Sequence, residues 1–292
     1  MIIEGEIPLN DREFDRVRTR LYEHAGISLS DAKRTLVITR LSKIVRQRGL
    51  ATFDQYLDFL ERGATALEAQ EFVNALTTNL TRFWREEHHF THLVDYVRGL
   101  MATRTRETEK RLRIWSAGCS TGQEPYTIAL CLLDALPELK RWDLRILATD
   151  IDTSVIAKAA TAIYSDSELN GLPVAQQRLF ERRDGGRIAV PRAAASLVSF
   201  KPLNLMLAPW PMRGPFDAIF CRNVTIYFDK PTQGEVFSRL GRILVPGGFL
   251  YIGHSESLGT ASAGFRSMGK TIYQSRGEAG QEPARARARD AA

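Results

Sequence analysis

Gly118-Cys-Ser-Thr-Gly122-Gln-Glu124-Pro125-Tyr126 stands between an apolar run, Leu112 to Ala117, and a helical pattern, Thr127 to Leu136. A strand feeding a glycine turn that opens a helix exposes backbone N–H groups beside one crevice, where a nucleotide-like ligand can approach closely. The dinucleotide fingerprint GxGxxG is absent, and no Gly-Lys-Ser/Thr follows to cradle phosphates. A phosphate-free ligand fits better, because Glu124 inside the turn repels a pyrophosphate and attracts an ammonium or a sulfonium. Asp150 closes the next apolar run, Leu144 to Thr149, and at the C-terminal end of a buried parallel strand its carboxylate can accept from two ribose hydroxyls. S-adenosylmethionine combines a ribose, an amino acid and a sulfonium. Taken alone, the glycines are also compatible with an ordinary tight turn, and Asp150 with a helix cap for the segment starting near Ser154.

These residues meet only if strands and helices alternate in the right order. After a charged connector, Arg104 to Lys110, apolar runs at Leu112 to Ala117, Leu144 to Thr149, Leu197 to Phe200, Phe216 to Cys221 and Phe249 to Gly253 alternate with helical periodicity. Such alternation predicts a doubly wound α/β domain, its parallel sheet covered on both faces, and Gly264 to Ser275 reads as a final antiparallel hairpin. The first hundred residues carry helical patterns and almost no strand signal. Asp11 to Ala25 places Phe14, Val17 and Leu21 at helical spacing and stops at Gly26; Ser30-Asp31 reads as the cap of a second helix carrying Val37, Ile38, Leu41 and Val45. A third helix runs from Thr52 to Gly63, and Thr65-x-x-Glu68 is a capping box for a fourth with Phe72, Val73 and Leu76 inward. The expected organisation is a helical domain over 1–90, a linking helix and connector over 91–110, and an α/β domain over 111–276 with a small β-subdomain inserted at about 163–200. A tail over 277–292, rich in Gly, Ala, Pro and Arg, is expected to be disordered.

With 292 residues, 44% of them hydrophobic, the chain can bury cores for roughly two domains. No run approaches the roughly 18 apolar residues of a membrane span, and the start, Met-Ile-Ile-Glu-Gly-Glu, lacks a basic segment followed by an apolar one, so a cytoplasmic protein without stable membrane insertion is expected. Cys119, Cys131 and Cys221 are odd in number and show no metal spacing; they read as reduced packing residues, and no metal is expected. The net charge of +6 favours an anionic partner, although part of the excess lies in the tail from Ala284 to Arg289. No RNP aromatics, zinc finger or helix-turn-helix appears, and nucleic acid is not the expected partner.

Ahead of the α/β pattern stands a polar stretch, Thr77-Thr78-Asn79-Leu80-Thr81-Arg82-Phe83-Trp84-Arg85-Glu86-Glu87-His88-His89-Phe90, suited to hydrogen-bonding an amino-acid carboxylate or to capping the flanking helices. Together with Ala117 to Tyr126, Thr149-Asp150-Ile151-Asp152, Asn204-Leu205 and the run from Phe216 through Arg222-Asn223 and Tyr227 to Lys230, it resembles the chemotaxis receptor methyltransferase family (CheR) over roughly Phe14 to Tyr273. The resemblance implies a seven-stranded, mostly parallel sheet of the S-adenosylmethionine-dependent methyltransferase type behind a small all-α domain. It implies methyl transfer to glutamate side chains on chemoreceptor cytoplasmic helices, giving γ-glutamyl methyl esters and S-adenosylhomocysteine. Carried over by position, the cofactor contacts fall on Asn79, Thr81, Arg85, Gly118, Glu124, Asp150, Asn204, Leu205, Arg222 and Asn223, with Tyr227 and Arg98 near the transferred methyl. Trp84, Thr91 and Gln123 depart from the family's usual residues; Gln123 stands where a Glu is common, so Glu124 is expected to act alone at its corner.

A glutamate carboxylate is already ionised near neutral pH, so its attack on a sulfonium methyl needs no general base. The protein's expected tasks are alignment and water exclusion, with Tyr227 orienting the reactants. On the second helix, Arg40, Lys43, Arg46 and Gln47 share one side with Lys33 flanking, a cationic ridge expected to steer acidic receptor helices. Some family members bind a receptor's C-terminal pentapeptide tether through the inserted β-subdomain; here Asp184-Gly185-Gly186 makes a compact turn, and no tether binding is expected. A monomer is expected. The competing functions are methylation of another acceptor, RNA or a small carboxylic acid, and a module that senses S-adenosylmethionine without turnover.

Overall fold

Local signals start and stop the helices of the first domain. In the computed structural model, which describes residues 7–277, Asn10 and Glu13 form a reciprocal capping box that opens α1 (Asp11–Ala25), and Gly26, at φ 68°, closes it in the left-handed conformation. The tail expected to be disordered lies, apart from Gly277, outside the described residues. A 3-10 turn over Asp31–Lys33 precedes α2 (Arg34–Gln47), and Ser30 makes no side-chain cap bond, so the second helix starts later than its apparent cap. Thr52 caps α3 (Phe53–Arg62), and the Thr65/Glu68 capping box opens α4 (Ala66–Leu76). Phe14, Val17, Leu21, Val37, Leu41, Val45, Phe53, Tyr56, Leu57 and Phe72 bury the apolar stripes of all four helices in one cluster. Residues 77–87 form neither helix nor strand, and α5 (His88–Thr103) then leads into the sheet.

The second domain runs β1 (Arg111–Ala117), α6 (Gln123–Ala135), β2 (Asp143–Asp150), α7 (Thr153–Ala160), β3 (Ile163–Ser165), α8 (Val174–Gln177), β4 (Glu181–Arg183), β5 (Arg187–Ala189), α9 (Arg192–Ala195), β6 (Val198–Pro202), β7 (Phe216–Cys221), α10 (Lys230–Arg242), β8 (Leu244–Ile252), β9 (Phe265–Gly269) and β10 (Ile272–Ser275). The seven-stranded sheet has the order β6-β2-β1-β7-β8-β10-β9, with β6 to β8 pairing in parallel and β10 antiparallel to both β8 and β9. The chain winds outward from β1 through β2 to β6, then crosses back to β7 on the other side. That reversal leaves a crevice beyond the C-terminal ends of β1 and β7, where open α/β sheets take their ligands. Strand β8 begins earlier than the apolar run Phe249 to Gly253 suggests, because a register shift against β7 absorbs Pro246-Gly247-Gly248 instead of letting them end the strand. The insertion is a three-stranded antiparallel sheet, β3-β5-β4, in which Asp184-Gly185-Gly186 joins β4 to β5.

The helical domain closes over the strand ends. The Ser28 N–H donates to the Tyr227 carbonyl at 2.8 Å, Tyr22 Oη to Asp229 at 2.6 Å, Asn204 Nδ2 to the His24 carbonyl at 2.6 Å, and Gln70 Nε2 to the Ile151 carbonyl at 2.8 Å. Ile151 and Tyr227, both from the α/β domain, pack against the core of the helical one. None of the described helices is long and apolar enough to cross a membrane.

Candidate active site

Three chain segments at adjacent strand ends make one wall of a cleft of about 520 Å3. After β1, Gly118 adopts φ 81°, and a Cβ there collides with Val224, so only glycine lets the turn pass so close to the loop after β7. After β2, Asp150 accepts from the Ser120 N–H at 2.8 Å and the Asp152 N–H at 3.0 Å, and burial raises its carboxyl above the ordinary range. The cap of α7 is Asp152, whose Oδ1 accepts from the Ser154 and Val155 N–H groups; Asp150 is thereby left in the cleft.

After β7, the segment from Arg222 to Tyr227 is pinned by one buried carboxylate. Glu256 accepts from five donors: the backbone N–H groups of Asn223, Val224, Thr225 and Gly253 at 2.6 to 3.0 Å, and Thr225 Oγ1 at 2.8 Å. This holds Asn223 at φ 59° and presents Asn223, Ile226 and Tyr227 to the cleft.

The opposite wall is the polar stretch, Thr77 to Arg85. Thr77 Oγ1 and Asn79 Nδ2 both donate to Asp152 Oδ2, at 2.6 and 2.7 Å, and Ser120 Oγ donates to the Asn79 carbonyl at 3.0 Å. Arg40 of α2 donates to the carbonyls of Thr77 and Ala75. The polar residues thus tie this wall to the sheet, and the start of α5 carries no side-chain cap.

At the floor, Arg222 pairs with Glu124 at 3.0 Å and with Glu86 at 3.5 Å, and its guanidinium lies 5.6 Å from the Phe90 ring centroid. Burial pushes the Glu124 carboxyl up, against the opposing effect of Arg222 and the 2.6 Å bond from Ser116. For Glu86, burial acts upward too, but the Arg222 charge and the His254 hydrogen bond win and hold it below its usual value. With Asp150 added, the floor offers more negative than positive charge, a setting for a cationic ligand. Tyr227 is half-buried; burial raises its phenol above the usual value, so it stays a neutral O–H donor near pH 7.

Of the residues singled out in the sequence, Lys33, Asn79, Thr81, Arg85, Gly118, Glu124, Asp150, Asn204, Leu205, Arg222, Asn223 and Tyr227 line this cleft. Asn204 does so with its side chain engaged, donating to the His24 carbonyl and accepting from the Met206 N–H at 2.9 Å. Arg98 does not line it: Val94 and Val97 take the inward side of α5, which turns Arg98 outward, 57% exposed and paired with Asp95. On α2, Lys43 and Arg46 stand on the exposed surface, whereas Arg40 is half-buried and spends its guanidinium on backbone carbonyls. Glu124 does not act alone. Gln123 turns away to Thr121 and Glu168, and the second carboxylate at the guanidinium is Glu86.

Sequence reading passed over Glu86, Asp152 as a tether, and Glu256. Glu86 was visible within the polar stretch, but its reach to Arg222 depends on a backbone at φ 58°. Glu256 lies in an unremarked Ser-Glu-Ser segment, and only the fold brings it under the loop after β7. Among the described residues, Glu86, His88 and His89 bring atoms able to hold a metal within 4.8 Å of one another. Each already has protein partners: both histidines reach the Lys270 carbonyl, and burial drives His89 down to about 3, a neutral ring.

Comparison with known proteins bears on most of the chain. Residues 12–77 match the family described as CheR methyltransferase, all-alpha domain, and residues 79–274 match CheR methyltransferase, SAM binding domain. The chain is 44% identical over 271 residues to the chemotaxis protein methyltransferase of Klebsiella aerogenes, covering 91% of this chain and 90% of that one. It is 44% identical over 272 residues to the chemotaxis protein methyltransferase of Escherichia coli K12, covering 91% and 92%, and 44% identical over 265 residues to chemotaxis protein methyltransferase 2 of Pseudomonas aeruginosa, covering 89% and 92%.

Proposed function

Because the chain belongs to the CheR methyltransferase family, we propose that it transfers a methyl group from S-adenosylmethionine to glutamate side chains on chemoreceptor cytoplasmic helices, forming γ-glutamyl methyl esters in chemotactic adaptation. The observation that carries this reading is a cleft lined by both matched segments, with Glu124, Asp150 and Arg222 in its lining, Glu86 paired to Arg222 from behind, and a neutral Tyr227 facing it. The residues fit the cofactor. Asp150 keeps lone pairs beyond its two backbone donors, and Arg222 Nε is buried with no partner within the protein.

When bound, S-adenosylmethionine supplies a methyl group activated by a positive sulfur. The protein's residues do the rest by holding and drying. Asp150 is the acceptor for ribose hydroxyls; Arg85, Arg222, Asn79 and Thr81 frame the amino-acid end; Leu205 and Phe90 supply apolar lining. The acceptor carboxylate arrives ionised, so no side chain has to take its proton. Tyr227 donates its O–H to orient the reactants, and the helical domain excludes water, favouring a transition state in which opposite charges are cancelling. A Tyr227→Phe protein should lose about tenfold in kcat with little change in cofactor Kd, and full turnover removes the role.

On the same reading the protein is a cytoplasmic monomer acting on receptors, with no nucleic acid and no metal taking part. Lys33, Lys43 and Arg46 steer the acidic receptor helix, and the three-residue turn between β4 and β5 leaves no extended loop to hold a receptor's terminal tether. Incubation with tritiated S-adenosylmethionine and receptor cytoplasmic fragments tests the function. Label released as methanol by mild base supports it; base-stable label, or none, overturns it.

A further inference from the structure

Two exposed apolar side chains stand on opposite walls of the cleft, where a folded protein has no need of them. Leu80 is 83% exposed between Asn79 and Thr81, and Ile226 is 42% exposed beside Tyr227; both line the cleft. Neither belongs to any of the three buried apolar clusters. Singly exposed apolar residues are ordinary on a protein surface, but these two line the cleft that also holds Tyr227, where an incoming helix would meet them.

The polar groups around them specify what can make that contact. Lys33, Arg82 and Arg85 line the same cleft, and among the described residues none of them is in an ion pair. Of the carboxylates that line it, Glu124 is paired with Arg222 and held by Ser116 deep in the cleft, Asp150 accepts from backbone N–H groups, and Asp229 accepts from Tyr22 and the Thr232 N–H at its rim. With Arg85 assigned to the cofactor's carboxylate, Lys33 and Arg82 remain as free cations facing outward. Two exposed apolar side chains with the exposed cations Lys33 and Arg82 in the same lining are complementary to an acidic amphipathic helix.

We propose that Leu80 and Ile226 form an apolar clamp that reads the residues flanking the reacting glutamate on a receptor helix, gripping apolar side chains three or four positions away on the same face. The proposal rests on the methyltransferase reading above and adds the feature that selects one glutamate among many. An acidic helix offers several carboxylates to the cations, and charge alone places them all equally well. The clamp favours the carboxylate whose helical neighbours at i±3 and i±4 are apolar, since only that register brings apolar surface against Leu80 and Ile226 while the glutamate reaches Tyr227.

Leu80→Ser and Ile226→Ser, both at exposed positions, should leave thermal stability unchanged. Each should raise KM for a chemoreceptor cytoplasmic fragment about tenfold, the effect of removing one buried apolar contact, with the calorimetric Kd for S-adenosylhomocysteine unaltered. Serine substitution of the apolar residues one turn from the methylated glutamate of the fragment should reproduce that loss with wild-type enzyme and add nothing further with Leu80→Ser. An unchanged KM, fully additive losses, or a parallel loss of S-adenosylhomocysteine affinity overturns the clamp while leaving the methyltransferase reading intact. A wild-type protein that forms no base-labile ester overturns both.

Discussion

The two walls of the cleft are held by different means. On the sheet side, Gly118, Asp150 and Arg222 sit at the ends of adjacent strands, and Glu256 gathers five donors beneath the loop after β7. On the helical side, residues 77–87 have no ladder of their own and hang on side chains: Thr77 and Asn79 to Asp152, Arg40 to the Thr77 carbonyl. Backbone ladders leave few soft dihedrals, whereas a stretch tied by single side chains can move when any one tie is changed. A rigid wall suits a cofactor that is the same in every turnover. An adjustable one suits receptor helices that differ from site to site.

Removing the pin of the rigid wall should have the largest effect. Glu256→Ala leaves four backbone N–H groups and a hydroxyl without their acceptor, and is expected to cost about 3 kcal/mol of stability and to abolish cofactor binding. Urea denaturation and calorimetry check both, and normal cofactor affinity in this variant would break the contrast between the walls. Next in size, Glu124→Gln should weaken cofactor binding by about 2 kcal/mol, roughly thirtyfold. In the wild type, burial raises Glu124 and Asp150, and a cationic ligand favours their ionised forms, so binding lowers their pKa values. Affinity is therefore full above the raised values of the free protein and falls as pH drops through them, and this decline on acidification should be shallower in Glu124→Gln.

The adjustable wall should respond more mildly. Asp152→Asn retains the cap of α7 but weakens the ties to Thr77 and Asn79; about 1 kcal/mol of stability should go, and receptor KM should rise more than cofactor Kd. Equal changes in the two would mean that the walls move as one. Smallest of all, the double change Lys43→Glu and Arg46→Glu should raise receptor KM roughly fivefold at low salt and almost not at all at 0.5 M, leaving the cofactor untouched.

Much of the sheet wall was legible because its signals are local. An apolar run, a glycine turn and a helical pattern are contiguous from Leu112 to Leu136, and the acid at a strand end is a neighbour in sequence of that strand. The helical wall was legible as a polar stretch but not in its wiring. Arg40 looked like part of an exposed ridge, since helical periodicity says which side of α2 it occupies and nothing about the Thr77 carbonyl that meets it there. Arg98 erred in the opposite direction, placed near the chemistry by resemblance and turned outward by the two valines that α5 must bury.

By itself the sequence determined the order of elements, the caps and turns that start and stop them, and the residue types able to hold a cationic, phosphate-free ligand, because each of these depends on neighbours within a few positions. Only the tertiary structure decided which carboxylates share Arg222, that Asp152 joins the two domains, and that Glu256 sits under the loop bearing Tyr227. Those pairings reach across 31 positions of chain for Thr225 and Glu256, 73 for Asn79 and Asp152, and 98 for Glu124 and Arg222, and they exist only once burial of the two cores has brought distant segments together and removed the water that would otherwise satisfy their polar groups.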